Sequence, residues 1–374
     1  MSFSRLPVLR HGLTLRHEDL LPDTMVGERL NKVRKLMQQK KVDSIIIHSN
    51  AITNGPVCYL TNYNSYGRAR KGTAVLGKHE GPFLYTAEPS RNLPKVRRFL
   101  TSDIENKPNF FVGAVQKAKS LAKEKSVGLV GSENLLPKMA AQLAAELEGF
   151  NIVDLSTDFA RLMAEKDEAS LKATSKAVEL ASIGFKLIKE NALSGKTLWE
   201  LAAEVDYKLR LAGCEDTNIL LGYGESGMIR PGYPNHEEIE IGQTVIVYIA
   251  AQYARKWGVI GRTITVGDSN SNTKTLKKLG EIKTEIAASI KSEMDLKEAK
   301  TVILEAAKSH DLKMVEDVPL IEGIGFDQVE YPNKEQDRLQ SGMTVQIVLA
   351  SDDDVTSMLV DILQITEDGG VWLS

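Results

Sequence analysis

The sequence predicts an α/β domain followed by an α+β domain, and three observations carry that prediction. Its 374 residues exceed what one core usually holds, because domains run to about 100–200 residues. Strand-like β-branched runs alternate with helical periodicity up to Asp154. Beyond it, long helices give way to a block dominated by strands.

Residues 1–24, punctuated by Pro7, Gly12 and Pro22, read as an extension packed on the surface. Residues 25–156 read as the first domain and 157–374 as the second. Between Glu28 and Lys40, Leu30, Val33, Leu36 and Met37 recur at helical spacing, and Ile45, Ile46 and Ile47 follow as a buried strand. Further strands are expected at 74–76, 83–85, 127–130 and 152–153, with a helix over 114–123. The charged segment from Thr157 to Glu168 reads as the interdomain connection.

The second domain opens on a helix whose one face carries Leu171, Thr174, Val178, Ala181, Phe185 and Ile188. Thr197 and Glu200 have capping-box spacing, so a second helix starts there with Leu201, Val205 and Leu209 inward. Strands at 244–251, 258–266, 344–350 and 359–365 are interleaved with helices over about 272–291 and 297–310.

Composition removes several function classes. Forty-seven Lys and Arg against fifty Asp and Glu leave a formal charge of -3, so no global basic field draws nucleic acid, which is not an expected partner. No stretch reaches the roughly 18 apolar residues of a membrane span, and no membrane partner is expected. Cys58 and Cys214 fall in different domains and cannot build a disulfide framework or a four-ligand zinc site, which suits a soluble protein of a reducing cytoplasm.

A series of short motifs in order gives the chain a resemblance to a known family. Glu28 to Met37, Ile45 to Ile47 and then Cys58, Tyr59, Leu60, Thr61 and Asn62 resemble a creatinase-type amino-terminal domain, in which Gly is common where Asn62 stands. Arg161 to Ala177, Ile241 to Tyr253, Gly323 to Phe326, Ser341 to Val345 and Ile365 to Gly369 resemble the framework of the pita-bread domain that follows it. The chain is thus similar to the creatinase, aminopeptidase P and prolidase superfamily over nearly its whole length after about residue 25.

That resemblance implies two divalent cations held by four carboxylates and a histidine, which polarise a scissile carbonyl and activate a water. Anchored on Arg262, the two aspartate positions fall on Tyr248 and Val259. The histidine position falls on Glu322 and the two glutamate positions on Val348 and Val360, the latter beside Asp361. One acidic side chain stands where five ligands are required, so no metal or other cofactor is expected. The positions of two substrate-assisting histidines fall near Gly232 and on Val329.

The remaining polar residues are candidates for a ligand site with an apolar floor: Glu322, Tyr248, Arg262, His236, Glu330 and Asp361. Arg262 paired with Glu330 or Asp361 would instead serve the framework, and His236 beside Glu237 and Glu238 would simply be exposed. Asp352, Asp353 and Asp354 read as an acidic turn, and 222–227 as a glycine-rich loop at the mouth of the cleft. The expected function is that of a metal-free pseudoenzyme binding a peptide, protein or small molecule. A metal-independent C–N hydrolase of creatinase type is the alternative, and an active Xaa-Pro metallopeptidase ranks third. A homodimer is implied by the resemblance.

Overall fold

The computed structural model describes residues 16–373 apart from 51–52, 65–71, 192–194, 225–228, 268–272, 316–317 and 352–355. The chain divides into two compact units, residues 1–163 and 164–374.

The first unit runs α1 (Asp23–Gln39), β1 (Ser44–Ser49), α2 (Gly55–Thr61), β2 (Gly72–Gly77), β3 (Phe83–Thr86), α3 (Leu93–Val96), β4 (Asp103–Asn106), α4 (Phe110–Leu121), β5 (Ser126–Val130), α5 (Pro137–Glu146), β6 (Asn151–Asp154) and α6 (Ser156–Ala164). Its six strands lie in the order β4-β3-β2-β1-β5-β6, with β1 antiparallel to β2 and parallel to β5. Every residue of β1, β2 and β5 is buried, so these central strands are covered on both faces. β4, of sequence Asp-Ile-Glu-Asn, lies at the sheet edge and has no buried residue, which is why hydrophobic patterning does not find it.

Helix α1 starts five residues before Glu28, since Pro22 is extended and Asp23 lies in the first turn, where a negative charge suits the helix dipole. It ends in a Schellman motif: Val42 N–H donates to Met37 O at 3.0 Å and Lys41 N–H to Gln38 O at 3.2 Å. Lys41 therefore has φ of +55°, in the left-handed region that favours glycine. Asn62 likewise ends α2 with φ of +54°, and its amide donates to Phe99 O at 2.7 Å. The residue that departs from the expected glycine is thus one that tolerates the same backbone and adds a bond. The segment expected as a charged connection is mostly helical, because Phe159, Met163 and Ala164 recur at helical spacing and are buried.

The second unit runs α7 (Glu168–Asn191), α8 (Leu198–Leu211), β7 (Asp216–Gly224), β8 (Thr244–Tyr253), β9 (Lys256–Thr265), α9 (Thr273–Ser289), α10 (Leu296–Ser309), β10 (Ile321–Gly323), β11 (Thr344–Ser351), β12 (Ser357–Ile365) and β13 (Gly370–Trp372). The sheet order is β10-β11-β12-β9-β8-β7, and β13 pairs with β12. The capping box at α8 is formed in both directions: Glu200 N–H reaches Thr197 Oγ1, and Thr197 N–H reaches the Glu200 carboxylate. Gly222 to Gly224 are not in a loop but complete β7, where a Cβ on Gly222 would sit 2.3 Å from Arg230 O. The rest of that glycine-rich stretch, 225–227, and Asp352 to Asp354 lie outside the described residues.

Candidate functional site

Alternation along the strands decides which side chains meet. Tyr248 pairs with Gly261, Gly261 with Val360, and Val360 with Val348, so these four form one cross-strand row over β8, β9, β12 and β11. Val259, two residues from Gly261, and Glu322, opposite Gln346, emerge on the same face of the sheet. All five positions that the resemblance assigned to metal ligands therefore share one face. The other face is covered by helices: a Cβ on Gly258 would collide with Val178 N of α7, and Lys283 of α9 reaches Asp361.

Over the first face lies a cavity of about 300 Å³. Its wall is mostly apolar and includes Val315, Val348 and Met358, while Arg230, Tyr248, Glu322, Gln346 and Thr356 bring polar groups to its lining. Gln346 links Glu322 and Tyr248. Its amide nitrogen donates to Glu322 Oε2 at 3.1 Å, and its amide oxygen accepts a long bond of 3.4 Å from the Tyr248 hydroxyl. Burial, with the Glu322 charge nearby, pushes the Tyr248 hydroxyl up to about 12, so it stays a protonated donor. Burial also raises the Glu322 pKa above the ordinary carboxylate value, against the opposing effects of the Gln346 bond and the charge of Lys300.

The other predicted site residues are not at this cavity. Val259 and Val360 are buried in the core, and Val360 packs so closely on Gly261 that a Cβ there would lie 2.4 Å from it. Arg262 points to the opposite face, where its guanidinium donates to Asp361 Oδ1 at 2.7 Å and to Val360 O at 2.8 Å. Asp361, fully buried, receives Lys283 Nζ on its second oxygen at 2.6 Å. Glu330 forms a buried ion pair with Lys166 and accepts Phe326 N–H at 2.9 Å, which fixes the loop after β10. A side chain on Gly325 would occupy the place of that pair. His236 is exposed and meets the Trp199 ring edge-on at 4.3 Å, because its loop is tied to the start of α8 through Trp199 N–H and Asn235 O. So Tyr248, Val348 and Glu322 are brought together, whereas Arg262, Asp361, Glu330 and His236 belong elsewhere. Gln346 was missed, although a polar residue two places before Val348 in an apolar strand is a readable signal.

The two units, a mixed six-stranded α/β sheet and a seven-stranded sheet with helices on one face, define a creatinase-type amino-terminal domain followed by a pita-bread domain. Residues 29–163 match the creatinase/prolidase N-terminal domain, and residues 172–370 match metallopeptidase family M24, to which the chain belongs. It is 26% identical over 331 residues to the Xaa-Pro dipeptidase of Pyrococcus horikoshii, covering 86% of this chain and 89% of that one. The Xaa-Pro dipeptidase of Pyrococcus furiosus is 23% identical over 326 residues, with the same coverage. Among solved structures, the X-Pro aminopeptidase of Thermotoga maritima superposes with a TM-score of 0.79 at 15% identity, over 92% of this chain and 97% of that one. The prolidase of P. horikoshii superposes with a TM-score of 0.76 at 21% identity, again over 92% and 97%.

The family name implies metal, and the residues at the five positions that the resemblance assigns to its ligands do not make a fitting set. Three valines offer no donor atom, Tyr248 offers only a phenol, and Glu322 alone supplies a carboxylate. Divalent cations of the kind that activate water need several hard or imidazole ligands converging within about 2.0–2.6 Å. Among the described residues, no group of three or more His, Cys, Asp and Glu side chains is arranged in that way.

Proposed function

We propose that this protein is a catalytically degenerate member of its family that uses the cavity beside Glu322 to bind a small cationic or amide-bearing ligand. The observation that carries this reading is the single cross-strand face on which five ligand positions hold Tyr248, Val259, Glu322, Val348 and Val360, with space left above Tyr248 and Val348. Apolar walls favour an apolar body, and the Glu322 carboxylate, already accepting one bond from Gln346, favours a donor on the ligand. The same reading takes the protein as a cytoplasmic homodimer, supported by its two free buried cysteines and by the family resemblance. Among the described residues no helix is long and apolar enough to cross a membrane.

Elemental analysis of the purified chain, paired with Xaa-Pro dipeptide hydrolysis in added Mn or Co, tests the proposal. It predicts no stoichiometric metal and no turnover above background, together with saturable binding of a benzylamine probe that Glu322→Gln weakens about tenfold. About two bound metal ions per chain with dipeptide turnover would overturn it and give this chain the activity for which its curated relatives are named.

A further inference from the structure

We propose that the first unit carries a second, unrelated site: a cationic cleft that binds a phosphorylated small molecule. The cleft, of about 640 Å³, lies between the carboxyl-terminal half of α1, the turn between β2 and β3, and the turn between α4 and β5. Its volume is that of a small-molecule site rather than of a single ion, since such sites span about 300–1,000 Å³. Arg34 and Lys35 reach it from α1, Lys41 from the turn after that helix, and Lys78 and His79 from the β2–β3 turn. Glu124 is the one acid in its lining.

Of these cations, only Lys78 is taken by an ion pair of the fold among the described residues. Lys78 is held at 2.5 Å by Asp43, which is buried and also accepts Glu124 N–H at 2.7 Å. Arg34, Lys35 and Lys41 form no ion pair among the described residues. Four cations thus face Glu124 and Asp43, leaving two positive charges in excess, in a chain whose overall charge is -3. That excess matches a phosphate monoester dianion, and a concave surface focuses its field on an incoming anion.

One detail adds to the charge excess. The Arg34 Nε is buried and has no acceptor in the protein, while the half-buried side chain lines the cleft, where a guanidinium can offer its terminal N–H groups to phosphate oxygens. The dipole at the end of α1 accounts for a cation at Lys41, but its influence fades within the last turn and does not reach Arg34.

The strain at Lys41 supplies a clean test, because Lys41→Gly removes the charge while relaxing the backbone. Titration calorimetry on the full chain at fixed ionic strength would use phenyl phosphate, inorganic phosphate and benzoate as probes. Phenyl phosphate should bind saturably and more tightly than either of the others. Lys41→Gly and Arg34→Gln should each weaken it about tenfold, with the unliganded melting midpoint of Lys41→Gly at or above that of the parent. Unchanged affinity in both variants would overturn the proposal. So would benzoate binding as tightly as phenyl phosphate, which would leave only a weak general attraction for anions, or inorganic phosphate doing so, which would leave no organic body to recognise. Glu322→Gln should leave phenyl phosphate binding untouched, so failure here and failure of the cavity reading are separately visible.

Discussion

The two faces of the second-unit sheet carry adjacent residues of the same strands and have opposite electrostatic fates. On the helix-covered face, Asp361 is fully buried and remains a carboxylate site because Arg262 and Lys283 each bond one of its oxygens. One residue earlier, on the cavity face, Val360 stands where the family resemblance expects a glutamate. A buried carboxylate persists where fixed cations compensate its desolvation, and becomes a liability where compensation would depend on bound metal. Glu322, at the position where the resemblance expects a histidine, is the carboxylate that the cavity face does carry, half-buried and bonded to Gln346.

The comparison can be broken most severely at Asp361. Asp361→Asn should cost about 3 kcal/mol in denaturant unfolding, because it leaves two cations facing a neutral amide inside the protein. A loss below about 1 kcal/mol would mean that the cluster is solvated and that the helix-covered face is not special.

Placing a carboxylate back on the other face sharpens the contrast. Val360→Glu should destabilise by about 2–3 kcal/mol, since the new charge would be buried over Gly261. Val348→Glu, whose side chain can enter the cavity, should cost about 1 kcal/mol. Equal costs, measured by the same unfolding curves, would argue against the cavity being open to water at Val348.

The smallest effect concerns the pH response of Glu322. Its folded pKa is raised, so the folded chain holds this proton more tightly than the unfolded chain does. The stabilisation is fully present below the unfolded value and is lost as pH rises through the raised folded value. Stability of the parent relative to Glu322→Gln should therefore fall as pH rises above about 4, the ordinary glutamate value. A difference that stays flat, or grows with pH, would show that Gln346 and Lys300 outweigh burial.

Much of the fold was legible because each apolar pattern had one mechanical solution. The Ile45 to Ile47 run, the inward face of α7 and the capping box at Thr197 appear where their patterns place them. β4 escaped notice because an edge strand need not be apolar, and β7 because its glycines look like a turn. For the site, alternation already put Tyr248, Glu322 and Val348 on a common face, once the family resemblance had supplied the register.

What the sequence determined alone is therefore chemical: two domains and, at the five positions that the family resemblance gives to metal ligands, one carboxylate beside three valines and a tyrosine. What only the tertiary structure decided is partnership. Arg262 could have paired with Glu330 or Asp361, and strand alternation sends it to Asp361 while Lys166, far away in the chain, takes Glu330. Gln346 bridges Tyr248 and Glu322 only because β10, β11 and β8 bring residues from distant parts of the sequence onto one surface. The orphaned Arg34 nitrogen likewise becomes visible only in three dimensions, since a sequence records a donor and never whether an acceptor lies within reach.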